Sequence, residues 1–184
     1  MKYIALIPVL FLLSCSSPVV VDKSSFSAGQ TTLEVNAVEF DKQLSLPPFT
    51  TKHIKIRLEE FWGCQGTDAV TKKIGSGRLT TKDHIQKVTI PANKELVLAL
   101  EYVDISSSGS ARCETMVKFV AAEGMDYVYL FNTGPYPAKC SGQILEVHGD
   151  ELVPAPLAVY PATKRKNFLM DPEFYLCPSG SNES

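Results

Sequence analysis

Net charge, long apolar runs and closely spaced metal-type ligands are all scarce in this chain. The 184 residues carry 18 Lys and Arg against 20 Asp and Glu, a formal charge of −2. That leaves no field suited to nucleic acid or to a strongly acidic ligand. The apolar stretch from Ile4 to Leu13 is ten residues long, and a helix crossing a bilayer needs about 20. Zinc sites usually place cysteines two to four residues apart, and Cys64, Cys113, Cys140 and Cys177 are nowhere that close. There is no Gly-x-Ser-x-Gly elbow, and "GSGR" at 75–78 lacks the Gly-Lys-Ser/Thr ending of a phosphate loop, so it reads as a mobile turn. His53, His84 and His148 fall in separate strands or strand ends and read as solvent-facing, and Asp83-His84 makes a triad only on paper. No cofactor and no metal are implied.

What is present is a period of two. In "HIKIRLEEF", Ile54, Ile56 and Leu58 alternate with Lys55, Arg57 and Glu59, which predicts a strand with one dry face. The same spacing puts Glu59 and Glu60 on opposite faces and argues against a carboxylate pair. "ELVLALEY" repeats the pattern, "MVKFVA" and "YVYLF" flank a turn at Gly124, and "GQILEVH" adds a strand after the proline-broken "TGPYPAKC". "TLEVNAVEF" alternates less cleanly at Ala37 and Val38, so a bulged or edge strand is expected there. Strands at short spacing without helical patterns predict an all-β antiparallel sandwich, immunoglobulin-like or transthyretin-like. Asp171-Pro172 permits one short C-terminal helix at most. "KRK" at 164–166 reads as a solvated charge run that could touch anionic lipid.

The N-terminus explains the fifth cysteine. Lys2 followed by a short apolar run has the shape of an export signal. It ends in Leu12-Leu13-Ser14-Cys15, which resembles the lipobox of bacterial lipoproteins, in which the cysteine is acylated and becomes the mature N-terminus. The resemblance implies residues 1–14 as signal peptide, Cys15 as the lipidated residue and, from Ser16, an outer-membrane address facing the periplasm or the cell exterior. The Ser-rich segment to residue 31 reads as a flexible tether, residues 15–31 with the cysteine included, followed by a single domain over 32–184 with an irregular C-terminal extension. An ordinary signal peptide with an incidental cysteine is the competing reading.

Within the body, "IPANKELVLALEY", Cys113, "FVAAEGMDYVYLF" and "KCSGQILEV" resemble a loose group of small proteobacterial lipoproteins with a disulfide-bonded β-sandwich body. Asn93 stands where a turn glycine is usual, which Asn tolerates because it also visits the left-handed region. The group implies a fold and a compartment and no agreed activity.

In an exported protein the four body cysteines predict two disulfides. Cys113 and Cys140 lie at the same end of the strands that turn at Gly124. A flat three-strand meander would still hold them about 9.6 Å apart, beyond the roughly 7 Å that a bridge tolerates between Cα atoms. The irregular loop or a strand switch between sheets has to close that gap. The pairing expected is Cys113 with Cys140 and Cys64 with Cys177; the rival pairs Cys64 with Cys113 and Cys140 with Cys177. "FWGCQG" places Phe61 and Trp62 at a strand end as a candidate ligand platform, against the plainer reading that Trp62 covers the end of the core. The function expected is binding or a structural place in the envelope, without catalysis, with an envelope protein or a glycan as partner and the membrane reached through the lipid. A periplasmic enzyme or inhibitor using the Trp62 end, and an accessory lipoprotein of a secretion machine, are the alternatives.

Overall fold

The computed structural model describes residues 17–40, 50–65, 68–106, 109–133, 140–156, 158 and 177. Cys15, the basic run at 164–166 and the terminal helix signal at 171–176 lie outside them.

Ten strands form two sheets: β1 (Ser17–Val21), β2 (Gln30–Val38), β3 (Thr50–Gln65), β4 (Asp68–Leu79), β5 (Ile85–Pro91), β6 (Glu95–Ser106), β7 (Gly109–Val120), β8 (Tyr127–Asn132), β9 (Ser141–His148) and β10 (Glu151–Pro154). The first sheet has the order β1-β4-β3-β6-β7 and the second β10-β9-β8-β2-β5. The alternation read from the sequence sets the inner faces. Ile54, Ile56 and Leu58 of β3 and Leu96, Leu98 and Leu100 of β6 meet Leu33, Val35 and Ala37 of β2 and Tyr127, Tyr129 and Phe131 of β8 in one core, nearly all of it withdrawn from water. Between the sheets Thr115 and Tyr129 share a hydroxyl hydrogen bond of 2.7 Å, so neither buried oxygen is left bare.

The chain switches sheets at the turn around Gly124, whose φ is +76°: β7 ends in the first sheet and β8 begins in the second. Cys113 on β7 and Cys140 at the mouth of β9 therefore face each other across the seam between the sheets, and they are bonded, with Cα atoms 5.7 Å apart. Cys64 and Cys177 form the other bridge, Cα to Cα 5.8 Å.

The architecture is the all-β sandwich expected, and four finer readings are corrected. The sheets are not wholly antiparallel, because β2 runs parallel to β8 from Leu33 beside Tyr127 to Val38 beside Asn132. β2 is neither bulged nor at an edge; it pairs with β5 on its other side without a register shift, and Thr31, Leu33, Val35 and Ala37 all point inward. "GSGR" is no turn but the middle of β4.

The fourth correction concerns the tether, and with it the domain boundary. Ser17–Val21 is a strand on the edge of the first sheet, with Ser17 opposite Arg78 and Val21 opposite Gly75. The glycines make this possible. A Cβ on Gly77 would come within 2.6 Å of the Val19 side chain and 2.8 Å of its Cα, and one on Gly75 within 3.0 Å of the Val20 carbonyl oxygen. Val19 and Val21 pack on the core while Val20 is 70% exposed, the alternation of a half-buried strand. The serines that follow are held by Asp22 rather than dangling. Asp22 accepts a hydrogen bond from the Ser24 amide at 2.9 Å, the Ser25 hydroxyl donates to the Asp22 carbonyl, and Lys23–Ala28 winds into a 3-10 helix. A Ser-rich composition signals a linker only when nothing offers those hydroxyls a backbone to cap.

Candidate functional site

β3 outlasts its neighbour. Its pairing with β6 ends at Glu60 opposite Leu96, and from Phe61 onward only β4 accompanies it, Phe61 opposite Thr71 and Gln65 opposite Asp68. The two strands leave the sandwich as a ribbon. The register shifts between Phe61 and Gly63, so Trp62 is the extra residue of a bulge, and Gly63 at φ +124° supplies the backbone it requires. An uninterrupted strand would put Phe61 and Cys64 on opposite faces; the extra residue lets both reach Cys177.

Phe61 and Trp62 therefore do different jobs. Phe61 is buried on the outer face of the first sheet with Val97, Ala99, Met116 and Cys177, and the Lys118 ammonium lies 4.3 Å from its ring centroid. It is 9% exposed, so of the two aromatics Trp62 is the one open to solvent. Trp62 is 61% exposed, and the Lys72 ammonium stands over its ring at 5.9 Å, an arrangement worth about 0.5–1 kcal/mol at an exposed site. Beside the disulfide it is Phe61, not Trp62, that packs, and it covers the outer face of the first sheet. Glu60, on the core-facing side of β3, is tied to Lys94 at 2.9 Å, so the ribbon's root is neutralised while the indole stays open.

Among the described residues the paired carboxylates are held in ion pairs. Glu101 and Glu114 face each other across β6 and β7, but Lys55 and Arg112 hold Glu101 at 3.1 and 3.8 Å and Arg57 holds Glu114 at 3.5 Å. Such paired charges are structural cross-strand contacts. Glu59 turns to Arg57 at 2.8 Å while Glu60 turns to Lys94, on opposite faces. His148 is exposed and 3.0 Å from Glu146. His53, expected at the surface, is buried instead, with neither ring nitrogen hydrogen-bonded among the described residues. Among the described residues no group of three His, Cys, Asp or Glu side chains could hold a metal.

Among the described residues, grooves lie elsewhere: one of about 510 Å³ between β1 and β5, with Val19, Val21, Phe26 and Lys87 on its walls, and one of about 460 Å³ on the outer face of the second sheet, beside Leu130, Asn132 and Gln143. Neither converges polar groups on Trp62. Comparison with family models, with curated protein sequences and with solved structures returns no match.

Proposed function

We propose that this chain is an outer-membrane lipoprotein, acylated on Cys15, whose β-sandwich acts by binding an envelope protein or glycan through the exposed Trp62 ribbon and performs no catalysis. The observation that carries the anchor is the sequence Leu12-Leu13-Ser14-Cys15 closing a ten-residue apolar run. A charged start and a run too short to span a bilayer call for export, and a cysteine at the cut supplies the acylation site. Two or more acyl chains hold stably where one holds marginally. An open indole under a lysine on a rigid, disulfide-pinned ribbon supports the binding role, since an aromatic face suits a sugar ring or a protein hot spot.

Fractionation of cells expressing the parent and Cys15→Ser forms tests the anchor. The substituted protein is expected in the soluble fraction, folded, after high-salt and carbonate washing; retention in the membrane pellet equal to the parent's refutes acylation at Cys15.

A further inference from the structure

β1 begins two residues after Cys15, and two extended residues reach at most about 7 Å. Given the anchor proposed above, on which this inference rests, the domain has no slack with which to stand off from the membrane or to turn over. We infer that one particular end of the sandwich, the corner formed by the start of β1, the end of β4 and the start of β5, lies against the lipid surface, and that the Trp62 ribbon is presented on the far side.

The corner is fixed rigidly to the chain that leads to Cys15. The side-chain amide of Gln86 on β5 donates to the Ser17 carbonyl at 3.4 Å and to the Arg78 carbonyl at 3.1 Å, and its oxygen accepts from the Val19 amide at 3.1 Å. One side chain thus locks the first residues of β1 to both neighbouring strands. The surface beside them suits a headgroup layer. Ile85, next to Gln86, is 46% exposed although it is a large aliphatic residue. Arg78, opposite Ser17, and Lys82 in the β4–β5 turn are both exposed cations, with Asp83 the acid beside them. An exposed isoleucine on one face of this end, with Arg78 and Lys82 exposed at the same end, is a composition that suits an anionic interface.

The ribbon points the other way. Going up β4 from Arg78 to Thr71, the partner of Phe61, is seven residues, about 24 Å at the usual rise per residue. Trp62 therefore meets its partner well clear of the headgroups, and the anchor presents the binding surface instead of merely retaining the protein.

The chain's single tryptophan makes a direct test. The acylated full-length protein is reconstituted in phosphatidylethanolamine and phosphatidylglycerol vesicles whose acyl chains are brominated near the headgroup. Two forms are compared, the parent, reporting from Trp62, and a Trp62→Phe, Ile85→Trp form, reporting from the corner. Both are expected to float with the vesicles; bromination is expected to quench the emission at position 85 and leave that at position 62 unchanged. Flotation with position 85 unquenched, or with position 62 quenched, overturns the orientation while the anchor stands, and leaves water or another macromolecule at that corner. Failure to float overturns the anchor and the orientation with it. Adding Gly77→Val, which displaces β1 and lengthens the free chain, is expected to reduce the quenching at position 85 without loss of flotation; undiminished quenching would show that the corner is not held there by the short connection.

Discussion

His53 is buried on the outer face of β3 beside Val103, its register partner. Burial, and then the positive charges of Arg78 and Lys55, hold its imidazole below the ordinary 6.5, with Glu101 opposing and Arg112 adding to the depression. The folded state therefore keeps the ring neutral where the unfolded chain would protonate it. Above about pH 6.5 both states are neutral and nothing is lost; as pH falls below that value the unfolded state takes up a proton the folded state refuses, and stability declines until the folded-state pKa is passed. His53→Leu removes that proton linkage and two unpaired buried nitrogens. Denaturant melts at about pH 7 and pH 5 should show a smaller acid loss in the variant than in the parent; an equal loss would place the acid sensitivity elsewhere. The sequence could not show this, because His53 shares its face of the strand with Lys55, Arg57 and Glu59, an alternation that marks the face as wet. The same limit applies to Phe61 and Trp62. Alternation assigns faces only while a strand has no bulge, and which of two adjacent aromatics is buried depended on the extra residue at Trp62 and on Cys177, more than a hundred positions away.

Among elements, the strands with clean alternation and β-branched or aromatic fillers were legible, and those whose partners supply the missing signal were not. β2 looked irregular because apolar Val38 follows Ala37 out of alternation, yet Ala37 keeps the inward phase and is fully buried while Val38 is half-buried. β1 was hidden by composition. Five residues seldom announce a strand, and this one depends on a gap left by Gly75 and Gly77 on β4. The dependence can be tested. Filling the gap with Gly77→Val overpacks the β1 contact, at a cost of about 1–3 kcal/mol, and the cheapest relief is for this edge strand to leave. In the parent, the amides of Val19 and Asp22, donors to Gln86 and to the Ile74 carbonyl, should resist hydrogen exchange; in the variant both should exchange like open chain while β6 keeps its protection. Rapid exchange of Val19 and Asp22 in the parent would restore the tether.

At the scale of the whole molecule the seam between the sheets is what matters, and it was partly legible. A flat meander could not join Cys113 to Cys140, so a bridge between them needed either the irregular loop or a change of sheet, and the chain changes sheet at Gly124; the parallel pairing of β2 with β8, joining residues over ninety positions apart, left no local trace. The two disulfides stand differently toward this body. Cys113–Cys140 staples β7 to β9, one strand from each sheet. Cys64–Cys177 fixes a C-terminal residue over Phe61, Val97, Ala99 and Met116, outside the two-sheet core. Chain entropy alone favours the second, with a separation of 113 residues against 27, worth roughly 5 against roughly 3.5 kcal/mol. That figure assumes that cutting the bridge frees only the unfolded state. When Cys64–Cys177 is removed, the folded sandwich also gains freedom, because Cys177 can leave the outer face while the core stays closed, and this gain offsets the unfolded chain's. When Cys113–Cys140 is removed the seam stays packed, the folded state gains little, and the loss is felt nearly in full. The Cys113→Ala, Cys140→Ala form should melt about 10 °C below the parent, taking roughly 3 °C per kcal/mol for a domain of this size, and the Cys64→Ala, Cys177→Ala form should fall by less. It should also bind an apolar dye while still folded, as the patch around Phe61 opens. Thermal melts of the two forms, with dye binding below the transition, decide it: a larger fall for the Cys64 and Cys177 form, without dye binding, would make the C-terminal segment an integral part of the sandwich.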